Sequence, residues 1–223
     1  MKLAFDFRSI RRLTRLNIGL FIYGLALSMV VNAKIGIPPW DVFAQGVSKQ
    51  LHTSYGIASI VVSSIVLIAW IPLKVKPGVG SIMNAILIGL WMDFWTPFTP
   101  VFDQYWQNLL MFCLGTATVA FATGLYISSH LGSGPRDGLM IGTQKLLGWP
   151  FWQVRTMYEV TVLAIGWLMG GQVREGTLIF AISIGYLMQA SLKFFGMEPK
   201  HHKPSKTGNK NSKTSKKPAK SRD

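Results

Sequence analysis

Two aspartates occupy the same place in a repeated pattern, G-x-x-P-x-D-x4-G-x-x-K-x-L, with Asp41 in the first copy and Asp137 in the second. An ionisable side chain in a largely apolar chain is a functional candidate by default. The two carboxylates could act as gate or ion-coupling residues that face each other across a symmetry axis. Arg136 precedes the second aspartate, whereas Trp40 precedes the first. This arginine could pair with Asp137 or recognise the carboxylate of a solute.

A second pair of charged candidates is Arg155 and Glu159, which lie four residues apart on a predicted helix. Residues at this spacing share a helix face, so the two side chains can pair. Glu159 would lie about 10 Å inside the start of its helix, at a rise of about 1.5 Å per residue. Two alternatives remain open for this pair, a binding site for a solute or ion and a structural ion pair near the interface.

Enzymatic chemistry finds little support. His130 lies beside the second motif without another histidine near it, and Cys113 is the single cysteine. The ligand spacing of a metal site is therefore missing from the sequence, as are a nucleophile elbow and a phosphate loop. Intramembrane chemistry that uses Asp137, Arg136 and His130 is a minor alternative. We predict no catalytic residue, no metal site and no cofactor.

The repeated pattern also predicts a local structure. A glycine permits a tight break after a helix, and a proline suits the first helical position. The aspartate then falls in the first turn and the lysine in the last, as the helix dipole favours. The pattern predicts a helix of about 10–12 residues, either interfacial without chemistry or part of a re-entrant hairpin whose N-terminus faces an anionic solute. Besides the aspartates, the motif residues are Gly36, Pro39, Gly46, Lys49, Gly132, Pro135, Gly142 and Lys145.

Long apolar runs must position these residues. The chain has 223 residues, of which 49% are hydrophobic and 14% charged, whereas soluble domains average about 25% charged residues. Ordinary soluble enzymes are thereby excluded, and we predict an all-α, polytopic membrane helix bundle. The six predicted spans lie near 16–33, 55–73, 80–98, 107–128, 152–170 and 176–196.

The sequence aligns with itself at an offset of 96 residues. Residues 19–98 pair with 115–194 without a gap, and 17 of the 80 pairs are identical. Each copy holds three spans, an odd number, so the second copy should enter the membrane from the opposite side as an inverted repeat. If the short Pro-Asp helices crossed fully, the copies would instead have four spans each and run parallel. The predicted segments are 1–15, a basic N-terminus; 16–98, repeat 1; 99–106, an external loop; 107–196, repeat 2; and 197–223, a disordered lysine-rich tail.

Charge predicts the orientation, because short cytoplasmic loops are enriched in Lys and Arg. We expect both termini in the cytoplasm, with basic termini that contact anionic lipid headgroups of the bilayer. No aromatic residues interleave the lysines of the tail, so specific binding to nucleic acid is disfavoured. The charges assigned to the inside between the termini are Lys74, Lys76, Arg136 and Lys145, against Lys34, Lys49 and Arg174 outside.

The two motifs carry a family resemblance. The runs Gly36-x-x-Pro39-Trp40-Asp41-Val42 and Gly132-x-Gly134-Pro135-Arg136-Asp137-Gly138 resemble the YczE/YyaS/YitT group of bacterial integral membrane proteins. The resemblance covers roughly residues 10–196. It implies a small multi-pass protein of the bacterial cytoplasmic (inner) membrane, and it supplies neither a reaction nor catalytic residues.

These observations favour transport or export of an unknown small solute through a site at the repeat interface. The alternative is a non-transporting membrane scaffold or a modulator of a partner complex, which the basic tail would suit. A homodimer is a further expectation, because the spans are rich in glycine.

Overall fold

The computed structural model describes residues 7–149 and 151–196, and these residues form helices and connecting loops without a β-strand. The predicted all-α class is therefore confirmed. The lysine-rich tail and the first six residues lie outside the described residues. The helices are α1 Phe7–Asn32, α2 Pro39–Leu51, α3 Tyr55–Ala69, α4 Val79–Trp95 with a 3-10 extension Thr96–Phe98, α5 Tyr105–Ile127, α6 Pro135–Leu147, α7 Phe151–Leu168 and α8 Glu175–Phe194.

Four of the described helices are long and apolar enough to cross a membrane: α1, α4 with its extension, α5 and α8. Helices α2 and α3 together are also long and apolar enough, but the pair is bent by 113° at its junction. By length and composition, the described helices therefore provide at most five spans. Helices are present at all six predicted positions. However, α3 alone has only 15 residues and rises about 22 Å, which is short for a span. Helix α7 is less apolar than the four spanning helices, because it carries Arg155 and Glu159 in its 18 residues.

Helix α1 begins at Phe7, before the predicted span near 16–33, because the basic segment that precedes the apolar run contains no glycine or proline and its arginines are good helix formers. Helix α3 ends at Ala69, before Pro72, and not at residue 73. A proline disfavours helical backbone in the residue before it, which explains the early end.

The long helices pack around α1, which contacts α4 and α5. Helix α5 also packs against α8, and α3 packs against α4. The two short helices are placed differently. Residues 166–171, at and just after the C-terminal end of α7, contact five residues of α2: Val42, Phe43, Gly46, Lys49 and Gln50. Residues of α6 from Pro135 to Gly142 likewise contact residues 70–75, just after α3. Each short helix thus lies across the end of a longer one.

Structural elements recur at the 96-residue spacing that the sequence alignment gives. The starts of α2 and α6, of α3 and α7, and of α4 and α8 all differ by 96 residues. Equivalent backbone hydrogen bonds join the first half of the chain (residues 16–98) to the second (107–196). Gly80 N–H donates to the Leu131 carbonyl (2.9 Å), and Gly176 N–H donates to the Ile35 carbonyl (3.1 Å). Positive φ angles also occur in matched pairs, at Lys34 and His130, Gly36 and Gly132, His52 and Gly148, and Lys74 and Gly170.

Candidate functional site

A cavity of about 120 Å³ lies where the N-terminal ends of α2 and α6 approach each other. Its volume is sufficient for several water molecules or a small polar group. Side chains of α1, α3, α4, α5, α7 and α8 complete the wall. The five charged candidates from the sequence all line it: Asp41, Arg136, Asp137, Arg155 and Glu159. The structure therefore brings together residues that are up to 118 positions apart.

A bidentate ion pair joins the two motifs across this cavity. Arg136 Nη2 lies 3.0 Å from Asp41 Oδ1, and Nη1 lies 3.3 Å from Oδ2. The Asp41 side chain is only 1% exposed. The Arg136 guanidinium also lies 5.6 Å from the centre of the Trp40 ring, a cation–π distance. Paired hydrogen bonds of this kind fix geometry as well as charge, so this contact locks the first turn of α2 to that of α6.

Of the two alternatives for Arg136, a pair with its neighbour Asp137 is not present, because Arg136 pairs with the aspartate of the other motif. The reason is that consecutive residues on a helix point about 100° apart. Arg136 also lines the cavity, so it does not belong among the loop charges that predict orientation. The prediction that the termini lie in the cytoplasm then depends, between the termini, on Lys74, Lys76 and Lys145.

Two aromatic side chains, one from each end of α3, position the ion pair. The Tyr55 hydroxyl donates a hydrogen bond to the Asp41 carbonyl (3.3 Å), and Trp70 Nε1 donates to the Pro135 carbonyl (2.9 Å). Their backbones are separated by about 22 Å of helix rise. Both side chains therefore reach inward from opposite ends of α3, and they hold the N-termini of α2 and α6 at the cavity.

The second ion pair lies on α7 within the same cavity. Arg155 Nε lies 2.8 Å from Glu159 Oε1, and the two side chains are 36% and 27% exposed. Ser59 and Ser63, which occupy the equivalent positions of α3, also line the cavity. The charges thus belong to one half only, opposite two hydroxyl groups of the other half.

Asp137 differs from the other four charged residues. Its side chain is half-buried, and no hydrogen bond or ion pair joins its carboxylate to the described residues. The nearby guanidiniums of Arg136 and Arg155 are each paired with another carboxylate. Among the described residues, Asp137 is therefore the one carboxylate of the cavity that forms no ion pair of its own.

The remaining motif residues shape the ends of the short helices. Pro39 and Pro135 are the first residues of α2 and α6, and Lys49 and Lys145 lie in the last turns. Lys49 Nζ donates to the Gly170 carbonyl (2.6 Å), which ties α2 to the end of α7. These positions agree with the capped helix that the motif predicts.

The motif glycines allow close contacts. Gly36 and Gly132 have φ angles of 151° and 137°, which residues other than glycine rarely adopt. A Cβ atom on Gly46 would lie 2.8 Å from the Gly166 carbonyl oxygen, and one on Gly142 would lie 2.7 Å from a side-chain atom of Val75. These glycines let α2 and α6 lie directly against the ends of α7 and α3.

The two predicted repeats, residues 16–98 and 107–196, differ in the packing of their last two helices. Helices α3 and α4 approach so closely that a Cβ atom on Gly89 would lie 2.4 Å from the Gly56 carbonyl oxygen, and Asp93 Oδ1 accepts a hydrogen bond from Gly56 N–H (2.8 Å). The equivalent helices α7 and α8 do not pack in this way. No atom lies within 4 Å of a Cβ atom placed on Gly185, the counterpart of Gly89. The cavity, whose wall includes Ala181, is thus closed between α3 and α4 and reaches the gap between α7 and α8.

Sequence reasoning missed several cavity residues. Tyr23, Tyr126 and Asn84 line the cavity, and the Trp70 side chain donates a hydrogen bond to the start of α6. A signal was present for Tyr23, because it lies well inside its helix while membrane tyrosines usually collect at the ends of spans. No comparable signal marked Asn84, whose role depends on which helices meet around it.

The fold and the cavity define a multi-span α-helical membrane protein. Large apolar side chains lie exposed along the outside of the long helices, among them Ile68, Leu90 and Ile182, and four helices are long enough to cross a bilayer. Such a surface suits lipid and not water. The charged side chains of the cavity, in contrast, lie inside the bundle.

The chain belongs to the Family of unknown function DUF6198, whose model matches residues 10–193. It is 36% identical over 185 residues to an uncharacterised protein of Haemophilus influenzae, covering 81% of this chain and 83% of that one. It is 32% identical over 176 residues to the uncharacterised membrane protein YczE of Bacillus subtilis, covering 78% and 82%. The uncharacterised protein YyaS of the same organism is 25% identical over 175 residues, 77% of this chain and 87% of its own. These matches confirm the YczE-like resemblance, and no solved structure matches the chain.

Proposed function

We propose that this protein transports a small solute across the bacterial cytoplasmic membrane through the cavity between its two halves. The observation that carries the proposal is the Asp41–Arg136 pair, which joins the N-termini of two short helices that are bonded to the two ends of α3. Transporters built from inverted repeats place binding sites at such junctions of broken helices. Opening this pair would separate the two helix ends and connect the cavity to one side of the membrane.

The proposed topology has six spans in two inverted three-span repeats, with both termini in the cytoplasm. It is supported by the placement of the short helices, since α2 leads into the N-terminal end of α3 whereas α6 lies across its C-terminal end. The two short helices therefore belong to opposite ends of the bundle. At 13 residues each, they rise only about 20 Å and are too short to be spans of their own.

Cysteine labelling tests this topology. In a Cys113→Ser background, single cysteines at Gln50 and Leu146 occupy equivalent positions near the ends of α2 and α6, and both residues are exposed. We expect a membrane-impermeant maleimide to label the cysteine at 50 in intact cells and the cysteine at 146 only after permeabilisation. Labelling of both from one side would show parallel repeats and remove the basis for a site at an inverted-repeat interface.

Transport is tested in two steps with purified protein. Thermal unfolding in detergent is first measured against a panel of amino acids, organic acids, amines and sugars, and solutes that raise the unfolding temperature are then tested for counterflow in proteoliposomes. We expect counterflow of at least one solute and at least a tenfold loss in Asp137→Asn, because this change removes the unpaired charge of the cavity without leaving another charge uncompensated.

The matched control is Asp103→Asn, the same chemical change at an exposed loop residue, which should transport normally. A stabilising solute that shows no counterflow would contradict the proposal and favour the alternative function, a membrane scaffold or modulator. Equal transport by Asp137→Asn and the parent protein would remove Asp137 from the site while leaving transport itself established.

A further inference from the structure

Three side-chain oxygens surround a point beside Gly134 in the cavity wall. A methyl group placed on this residue would lie 3.3 Å from the Tyr126 hydroxyl oxygen and 3.5 Å from both Asn84 Oδ1 and Asp137 Oδ2. The oxygens come from α5, α4 and α6. Tyr126 and Asn84 are 4% and 7% exposed and Asp137 is half-buried, so two buried neutral oxygens and one half-buried carboxylate lie close to the same point.

The charged side chains that line the cavity leave an excess of negative charge beside this point. The lining contains the carboxylates of Asp41, Asp137 and Glu159 but only the guanidiniums of Arg136 and Arg155. Because each guanidinium already pairs with another carboxylate, the negative charge of Asp137 is left over. The N-terminus of α6, whose first turn holds Asp137, offsets this charge by about half, and the N-terminus of α2 lies beside its own first-turn carboxylate, Asp41. A charge inside a membrane protein is costly without a partner.

We infer that the cavity binds a small monovalent cation, an alkali ion or ammonium, between Asp137, Asn84 and Tyr126. One carboxylate with two neutral oxygens matches a single positive charge, whereas Ca²⁺ takes six to eight oxygen ligands in protein sites. The inference rests on the proposed function in one respect: the ion would accompany the solute as its coupling ion. Binding of the cation itself can be measured without any transport.

The two halves provide this site only once. The positions 96 residues away from Gly134, Tyr126 and Asn84 are occupied by Pro38, Val30 and Phe180, which offer no side-chain oxygen. Asp41, the counterpart of Asp137, is paired with Arg136. We therefore expect one cation per protein molecule.

The test is thermal unfolding of the purified full chain in detergent, with sodium, potassium or ammonium chloride compared with N-methylglucamine chloride at equal concentration. At one hundred times the dissociation constant, a bound cation should raise the unfolding temperature by roughly 5–10 °C. N-methylglucamine is too large for the site and reports the effect of ionic strength alone.

Gly134→Ala places a methyl group at the binding point itself. The backbone at this position has φ −60° and ψ 158°, which alanine adopts without strain, so we expect a folded protein that has lost its cation response. Gly185→Ala is the matched control, since nothing lies within 4 Å of its added methyl group, and it should respond like the parent. Tyr126→Phe removes one of the three oxygens and should weaken the response at least tenfold in apparent affinity, which keeps the test decisive if Gly134→Ala does not fold.

Equal unfolding temperatures in all four salts would overturn the inference, as would an unchanged response in both Gly134→Ala and Tyr126→Phe. Stabilisation that depends on pH but not on the cation would also overturn it and would mean that Asp137 holds a proton. Counterflow without cation stabilisation would refute the cation site alone. Cation stabilisation without counterflow of any stabilising solute would refute transport and leave the cation site in place.

Discussion

Replacing Asp41 with asparagine should destabilise the protein by about 3–5 kcal/mol, the usual cost of removing one partner of a buried ion pair. The change keeps the shape of the side chain but leaves the Arg136 guanidinium without its counter-ion, and arginine cannot lose its proton to adapt. The measurement is unfolding of the protein in mixed micelles of dodecylmaltoside and increasing SDS, with helix content followed by circular dichroism.

Two further variants make this result interpretable. Combining Asp41→Asn with Arg136→Met removes both charges and should recover most of the lost stability, because an uncompensated charge and not the missing contact dominates the cost. Glu159→Gln breaks the other ion pair, whose side chains are 36% and 27% exposed, and should cost about 1 kcal/mol or less. If Asp41→Asn costs no more than Glu159→Gln, the pair does not lock α2 to α6.

Replacing Gly89 with alanine should destabilise the protein by about 1–3 kcal/mol, whereas the same change at Gly185 should be neutral or slightly stabilising. The two residues are equivalent in the repeat alignment, but only Gly89 faces a backbone atom, the Gly56 carbonyl oxygen at 2.4 Å from the added Cβ atom. A carbonyl group of a packed helix cannot move aside as a flexible side chain does, so α3 and α4 must separate. At Gly185 the higher helix propensity of alanine is the remaining effect.

The same SDS unfolding assay measures both glycine variants, and each serves as the control for the other. Similar destabilisation by the two changes would show that α7 and α8 close in the membrane as tightly as α3 and α4. In that case the cavity would not reach a gap between α7 and α8, and the difference between the two halves would be lost.

Much of the fold could be predicted from the sequence. The apolar runs predict helices at the six positions where helices occur, and the G-x-x-P-x-D pattern predicts the two short helices, because these signals act within a few residues of the chain. Glu159 and Arg155 could be matched for the same reason, since i,i+4 neighbours meet on any helix. The length of α3 was overestimated, because hydropathy alone does not register the proline that ends the helix.

The partners of the cavity residues could not be predicted. From the sequence, Arg136 could pair with Asp137 or recognise the carboxylate of a solute, but in the structure it reaches Asp41, 95 residues away. Neither Trp70, which holds the start of α6, nor the oxygens around Gly134 form a pattern along the chain. Their contacts depend on the angle at which α2 and α6 cross the ends of the longer helices.

The sequence by itself determined that this is an all-α membrane protein, where its helices lie, and which charged residues stand out against an apolar background. These properties follow from hydropathy, capping and helix periodicity, which are local. Only the tertiary structure decided that five of those charges share one cavity, that Asp41 pairs with Arg136, and that Asp137 forms no ion pair with the described residues. The physical reason is that ion pairing depends on distances of a few ångströms between side chains, and these are set by how the helices pack.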